Sequence, residues 1–232
     1  MKGLFVTGTD TGSGKTIISG LLARYLSGKG HNVITQKWIA TGCRAGFAED
    51  VRLHCKIMHR KAGELKDYFK LICPYTFKTP SSPHLASKIE NRPIRPEKIV
   101  NTFRALSRDF DFVIAEGIGG ALVPYNEKGL VIDVARRLDL PVLLVAANKL
   151  GAINHTLLTI EALRRRKIRI LGIIFNNQEN EDKLIIKDNP VIIEKLSNCR
   201  IFGSLPWVKE YDKLYRKFIP AGERIYRTLK VR

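Results

Sequence analysis

The stretch Gly3-Leu4-Phe5-Val6-Thr7-Gly8-Thr9-Asp10-Thr11-Gly12-Ser13-Gly14-Lys15-Thr16 decides how the rest of the chain is read. Residues 3–8 are a short apolar run ending in glycine, the pattern of a buried strand. From Gly14 to Ser27 the residues Ile17, Ile18, Leu21, Leu22, Tyr25 and Leu26 recur at helical spacing. Between strand and helix lies a turn of small residues closed by Gly-Lys-Thr. Such a turn lets backbone N–H groups converge on a phosphate at a helix N-terminus; Lys15 adds a point charge, and the Thr16 hydroxyl can hold Mg²⁺. The spacing is a variant of G-x-x-x-x-G-K-[ST]. Counting back from Gly14 puts Thr9 at the first position, with Gly8 one residue too early.

Outward from this unit, further strands are predicted at 31–37, 111–116, 141–147, 169–175 and 200–203. Helical patterns are predicted at 130–138, 154–166, 190–197 and from about residue 209 onward. Strand and helix alternate, and several strands are apolar throughout. This predicts an α/β fold: a three-layer, doubly wound, mostly parallel sheet of the P-loop NTPase type with a variant phosphate loop. Residues 42–110 are polar, Pro-containing and partly helical, and are expected as insertions above the sheet. One domain over 1–232 is expected, with ligands at the carboxyl ends of the strands.

The chain has 232 residues, 44% hydrophobic and 27% charged, which excludes a disordered or collagen-like protein. No run of 18 apolar residues occurs, so no membrane-spanning helix is expected, and the N-terminal apolar run is too short for a signal peptide. Four scattered cysteines without a C-x-x-C pair suit a reduced, cytoplasmic enzyme. The net charge of +18 raises the question of nucleic acid. However, Lys and Arg are spread from end to end, and the densest run, Arg164–Lys167, closes a predicted helix, where the negative end of the helix dipole favours cations. A solvated basic surface, with neither nucleic acid nor membrane as partner, is the reading adopted.

Three side chains outside the loop are placed by their strands. Glu116 follows the apolar run Phe112–Ala115 and precedes Gly117-Ile118-Gly119-Gly120, so its carboxylate is expected at the site. Lys37 ends the second strand at the same sheet edge as Lys15. Asp50 follows the loop after that strand and is equally readable as a helix N-cap.

Together these residues carry a resemblance to the dethiobiotin synthetase family. It runs through Phe5–Thr11, Gly14-Lys15-Thr16, Lys37 and Gly42, then Pro74-Tyr75-Thr76-Phe77, Ser82-Pro83-His84, Glu116-Gly117 and Gly119-Gly120. Lys149-Leu150-Gly151, Ile153-Asn154-His155 and Pro206-Trp207 complete it. The resemblance implies a reaction in which 7,8-diaminononanoate takes up CO₂ as a carbamate. The carbamate attacks the γ-phosphate of ATP, and the second amine closes the ring with loss of phosphate. It implies Lys37, Lys15 and Thr11 as catalytic residues. Gly12, Ser13, Gly14, Ile17, Gly117 and Gly119 belong with the nucleotide, and Thr16, Asp50 and Glu116 with Mg²⁺. Asn176, Leu205, Pro206 and Trp207 lie around the base, and Thr41 contacts the diamine. A homodimer is implied, in which the partner's helix start (Gly151, Ala152, Ile153, Asn154) binds the substrate carboxylate; N-cap duty for Asn154 is compatible with that.

The chain departs from the family pattern at Gly12, Ser13, Trp38, Thr41 and Ile118. Thr41 keeps a hydroxyl, whereas Trp38 and Ile118 are expected to reshape the pocket. His54, Cys55 and His59, with Cys43 upstream, invite a zinc site, but their spacing fits no standard one. His84 is expected to order its loop by hydrogen bonds. A rival reading is a DNA-binding ATPase akin to chromosome-partitioning proteins, which share the variant loop; those carry a signature lysine where this chain has Asp10. A glutamine-hydrolysing amidoligase would need a further domain.

Overall fold

The computed structural model describes residues 3–44 and 48–229. The opening stretch forms strand β1 (Gly3–Gly8), buried along its whole length, and helix α1 (Lys15–Gly28). Six parallel strands build the central sheet in the order β10-β9-β8-β1-β5-β2, with β2 at Val33–Lys37, β5 at Phe112–Gly120, β8 at Val142–Asn148, β9 at Ile170–Asn177 and β10 at Ile201–Leu205. The expected doubly wound P-loop architecture is what the chain adopts.

Successive side chains of each strand go to opposite faces. Leu4, Val6, Val33, Phe112, Ile114, Leu143 and Val145 pack under α1 and the C-terminal helix α9 (Tyr211–Leu229). Phe5, Ile34, Val113, Ala115 and Val142 face the other layer. That layer contains α5 (Pro96–Asp109), α6 (Val131–Arg137), α7 (Ala152–Arg165) and α8 (Lys183–Ser197).

Three expectations need correction. Residues 42–110 were expected above the sheet, yet α5 is a covering helix whose Ile99, Val100, Phe103 and Leu106 share a core with Val113 and Ala115. The rest of this segment holds α2 (Glu49–Ile57), α3 (Phe69–Ile72), α4 (Pro83–Ile89) and the short parallel pair β3 (Ile39–Ala40) and β4 (Tyr75–Thr76). The predicted helix at 190–197 begins earlier, with Asp182 as its cap accepting from Leu184 N–H, and carries Pro190 inside it. Proline lacks the N–H that would bond the carbonyl four residues back; here the Asn148 Nδ2 donates to that Ile186 carbonyl at 3.0 Å, so the helix continues. Finally, Gly151 at φ +85° caps α7, so Asn154 lies inside the first turn and is not the cap.

Two small strands, β6 (Pro124–Asn126) and β7 (Gly129–Leu130), form an antiparallel pair beyond β5.

Candidate active site

The register of the sheet assembles the site. Glu116 on β5 is paired with Val6 of β1 on one side and Lys37 of β2 on the other. Register partners on neighbouring parallel strands send their side chains to the same face, so Lys37 and Glu116 meet: Lys37 Nζ donates to Glu116 Oε1 at 2.7 Å and to the Gly117 carbonyl at 2.9 Å. Asp50 Oδ2 lies 3.2 Å from the same ammonium. Asp50 stands in the first turn of α2, whose N-cap is Ala48, so the N-cap alternative for Asp50 falls.

The Thr16 hydroxyl oxygen is 2.7 Å from Asp50 Oδ1 and 2.9 Å from Glu116 Oε1. One hydroxyl hydrogen serves one of these acceptors at a time. Three oxygens therefore converge beside the phosphate loop with one hydrogen among them, a donor set that suits a hard divalent cation such as Mg²⁺. Among the described residues no three His, Cys, Asp or Glu side chains group as a metal site by themselves.

Charge and burial set the protonation of these groups. Burial pushes the Lys15 ammonium down and repulsion from Lys37 adds to it, leaving Lys15 at about 8. Lys15 Nζ donates to the Asp10 carbonyl at 2.9 Å. Burial also pushes Lys37 down, but Glu116 and Asp50 outweigh it and hold it above the usual lysine value. Burial pushes Glu116 up, but Lys37 and His54 outweigh it and hold it well below the usual carboxylate range.

The loop needs its glycines. Gly12 and Gly14 have φ of +75° and +99°, and a Cβ on Gly14 would strike Asn176 Nδ2. That amide donates to the Ser13 carbonyl at 3.2 Å, tying β9 to the loop.

A cleft of about 750 Å³ opens over this centre. Of the residues singled out in the sequence, Thr11, Gly12, Gly14, Lys15, Thr16, Ile17, Lys37, Thr41, Asp50, Glu116 and Gly119 line it. Ser13 is buried beneath the loop, and Gly117 takes part through its carbonyl. Asn176 and Leu205 are register partners at the ends of β9 and β10, beyond the loop, with Trp207 half-exposed after them; Pro206 lies between. Gly151, Ala152, Ile153 and Asn154 do not line the cleft; Gly151 and Asn154 are exposed at the start of α7.

Ile118 lines the cleft as expected, but Trp38 does not. Trp38 is fully buried on the opposite face, stacked on Phe5 at 4.4 Å between ring centroids, with its indole N–H donating to Gln36 Oε1. The Ser-Pro-His string borders the cleft through Ser82 and Pro83, and the Ser82 hydroxyl lies 3.1 Å from His84 Nδ1.

His54 is the residue that sequence reasoning passed over. It is fully buried, with Nε2 2.7 Å from Glu116 Oε2. Spacing along the chain sets it against His59, five positions on, whereas its relevant neighbour is Asp50, one turn earlier on the same helix face. His59 is on the surface, against Asp212.

A family model described as AAA domain matches residues 2–213. An ATP-dependent dethiobiotin synthetase of Pasteurella multocida is 43% identical over 187 residues, covering 81% of this chain and 87% of that protein. One of Haemophilus influenzae is 42% identical over 186 residues, covering 80% and 96%. The chain belongs to the dethiobiotin synthetase family. The relatives are named as ATP-dependent enzymes. Solved structures with the same fold include an ATP complex of Cyanothece McdA, with TM-score 0.59 and 14% identity over 100% of this chain and 97% of that one. Another is pNOB8 ParA bound to nonspecific DNA, with TM-score 0.60 and 14% identity over 99% and 98%. At these identities the likeness is one of fold alone.

Proposed function

We propose that this chain is an ATP-dependent ligase that makes dethiobiotin from 7,8-diaminononanoate and CO₂, working as one P-loop-type domain whose cleft draws on residues from Thr11 to Val123. The observation that carries the reading is the meeting of Lys37 Nζ and Thr16 Oγ1 on one buried oxygen of Glu116, beside Lys15. Lys15 and Lys37 stand there to meet the phosphates and Asp50 and Glu116 to meet the magnesium, so each part of an arriving Mg·polyphosphate finds groups of opposite sign.

In this reading the loop N–H groups of residues 11–16 and the Lys15 ammonium bind the β- and γ-phosphates. Thr16, Asp50 and Glu116 hold Mg²⁺, which neutralises phosphate charge when bound. Asn176 and the Leu205–Trp207 segment border the base. Thr41 orients the diamine carbamate, and Lys37, held charged and pointing into the cleft, stabilises negative charge as the carbamate oxygen attacks the γ-phosphorus. ADP leaves. The second amine then attacks the carbamoyl carbon, the carbon–oxygen bond to phosphate breaks, and the amine proton passes to solvent. Positioning and charge neutralisation supply the catalysis.

A homodimer fits the surface. Leu150, Leu158 and Leu122 are exposed at and beside the start of α7, where the partner's Gly151–Asn154 segment is proposed to receive the substrate carboxylate. Among the described residues no helix is long and apolar enough to cross a membrane, and a cytoplasmic site of action is proposed.

The test is phosphate release with Mg·ATP and bicarbonate, with and without 7,8-diaminononanoate, alongside mass detection of product. Diamine-dependent release with dethiobiotin formed is expected. ATP hydrolysis indifferent to the diamine would overturn the substrate assignment.

A further inference from the structure

We infer that His54 is a positioning residue that fixes the Glu116 carboxylate, so that only Oε1 is presented to the cation and phosphate side of the cleft. This rests on the reading of Thr16, Asp50 and Glu116 as the magnesium-holding set.

The two oxygens of Glu116 have separate partners. Oε1 faces Lys37 Nζ at 2.7 Å and Thr16 Oγ1 at 2.9 Å, while Oε2 faces His54 Nε2 at 2.7 Å. A carboxylate only accepts, so the imidazole donates from Nε2. The other ring nitrogen, Nδ1, is buried without a hydrogen-bond partner. The ring's polar contact is therefore directed wholly at Glu116. A ring placed there for packing alone would leave both nitrogens unpaired in a buried layer, which is costly.

Helix geometry explains why His54 is the residue that does this. Asp50 and His54 are one turn apart on α2 and share a face. One helix thus delivers a carboxylate to Thr16 and an N–H to the second carboxylate. The seat of α2 then sets both the distance between Asp50 and Glu116 and the rotation of the Glu116 carboxyl group. Without the imidazole, Oε2 loses its hydrogen bond and the group is free to turn about its terminal torsion, which is a soft one. The functional consequence is a weaker and less selective grip on the cation, with the nucleotide's own contacts to the loop unaffected.

The experiment compares wild type, His54→Leu and His54→Gln; the glutamine amide carries an N–H at similar reach. Mn²⁺ binding in the presence of ADP is followed by electron paramagnetic resonance of free Mn²⁺, and ADP affinity is measured separately without metal. His54→Leu is expected to weaken Mn²⁺ binding by about 10–100-fold, the usual scale for losing a residue that holds a ligand, with His54→Gln within about threefold of wild type. Metal-free ADP affinity stays unchanged in both. Equal Mn²⁺ affinity in wild type and His54→Leu, or equal losses in both variants, overturns the inference. Should His54→Leu fail to fold, His54→Asn, whose amide stops short of Glu116, replaces it with the same expected and overturning results. A wild-type protein that binds no Mn²⁺ in the presence of ADP, or a Thr16→Val variant that binds it as tightly as wild type, would instead overturn the magnesium reading, and this inference with it.

Discussion

Lys37 Nζ lies 2.7 Å from Glu116 Oε1, and both side chains are buried where β2 and β5 run side by side. The two residues are 79 positions apart in the chain. Each would be costly to bury alone, and each makes the other's charge tolerable.

Lys37→Ala is expected to remove dethiobiotin formation and to lower stability by about 3–5 kcal/mol, because Glu116 keeps its burial and loses its nearest cation. Adding Glu116→Gln should restore part of the stability and none of the activity. Urea denaturation of both single variants and the double variant measures the coupling. Strictly additive losses would show that the pair does not act as a unit.

Gly14→Ala places a side chain at φ +99° against Asn176 Nδ2. Left-handed backbone alone costs an ordinary residue about 1–2 kcal/mol, and the clash falls on the loop that receives phosphate. ATP affinity is expected to fall at least tenfold, on the order of the 1.4 kcal/mol per decade rule, with a lower melting temperature. Titration with a fluorescent nucleotide and a thermal melt check both.

Trp38 and Ile118 should separate stability from substrate handling. Trp38→Ala removes a buried ring stacked on Phe5, with an expected loss of about 3–5 kcal/mol; the milder Trp38→Phe should melt earlier and keep the diamine KM. Ile118→Ala, within the cleft, should alter the diamine KM with a small change in melting. A KM shift in Trp38→Phe equal to that of Ile118→Ala would contradict this division.

Acid should loosen the contact between α1 and α9. Tyr25 O–H, Arg227 and Lys29 hold the Glu223 carboxyl at about 2, against an ordinary 4.5. A carboxyl whose pKa is lowered in the folded state adds stability above its unfolded value, and that stability drains as pH falls through 4.5 toward about 2. Melting temperature should therefore fall over that window, and less steeply in Glu223→Gln. Identical slopes in the two proteins would refute the assignment.

What the chain announces locally is the β1–loop–α1 unit. An apolar hexamer, a turn of small residues and a helical period occupy one continuous stretch, and short-range backbone preference is enough to read them. The alternation that follows announces a parallel sheet for the same reason, and the family strings place Lys15, Thr16 and Glu116 at one edge. Which side chains meet there is a different matter. The pairing of Lys37 with Glu116 depends on strand order and face parity, and neither is written in a local pattern. Asp50 resembles a cap until α2 is seen to start one residue earlier and to lean against α1. Trp38 belongs to the core because its strand parity turns it away from Lys37. Pro190 breaks a helix on paper and not in the fold, since Asn148, 42 residues upstream, takes over the stranded carbonyl of Ile186. His54 gains its role only when helix packing sets it against a strand end 62 positions away. In each case the deciding contact is made between distant segments, whose meeting is set by the packing of the whole chain.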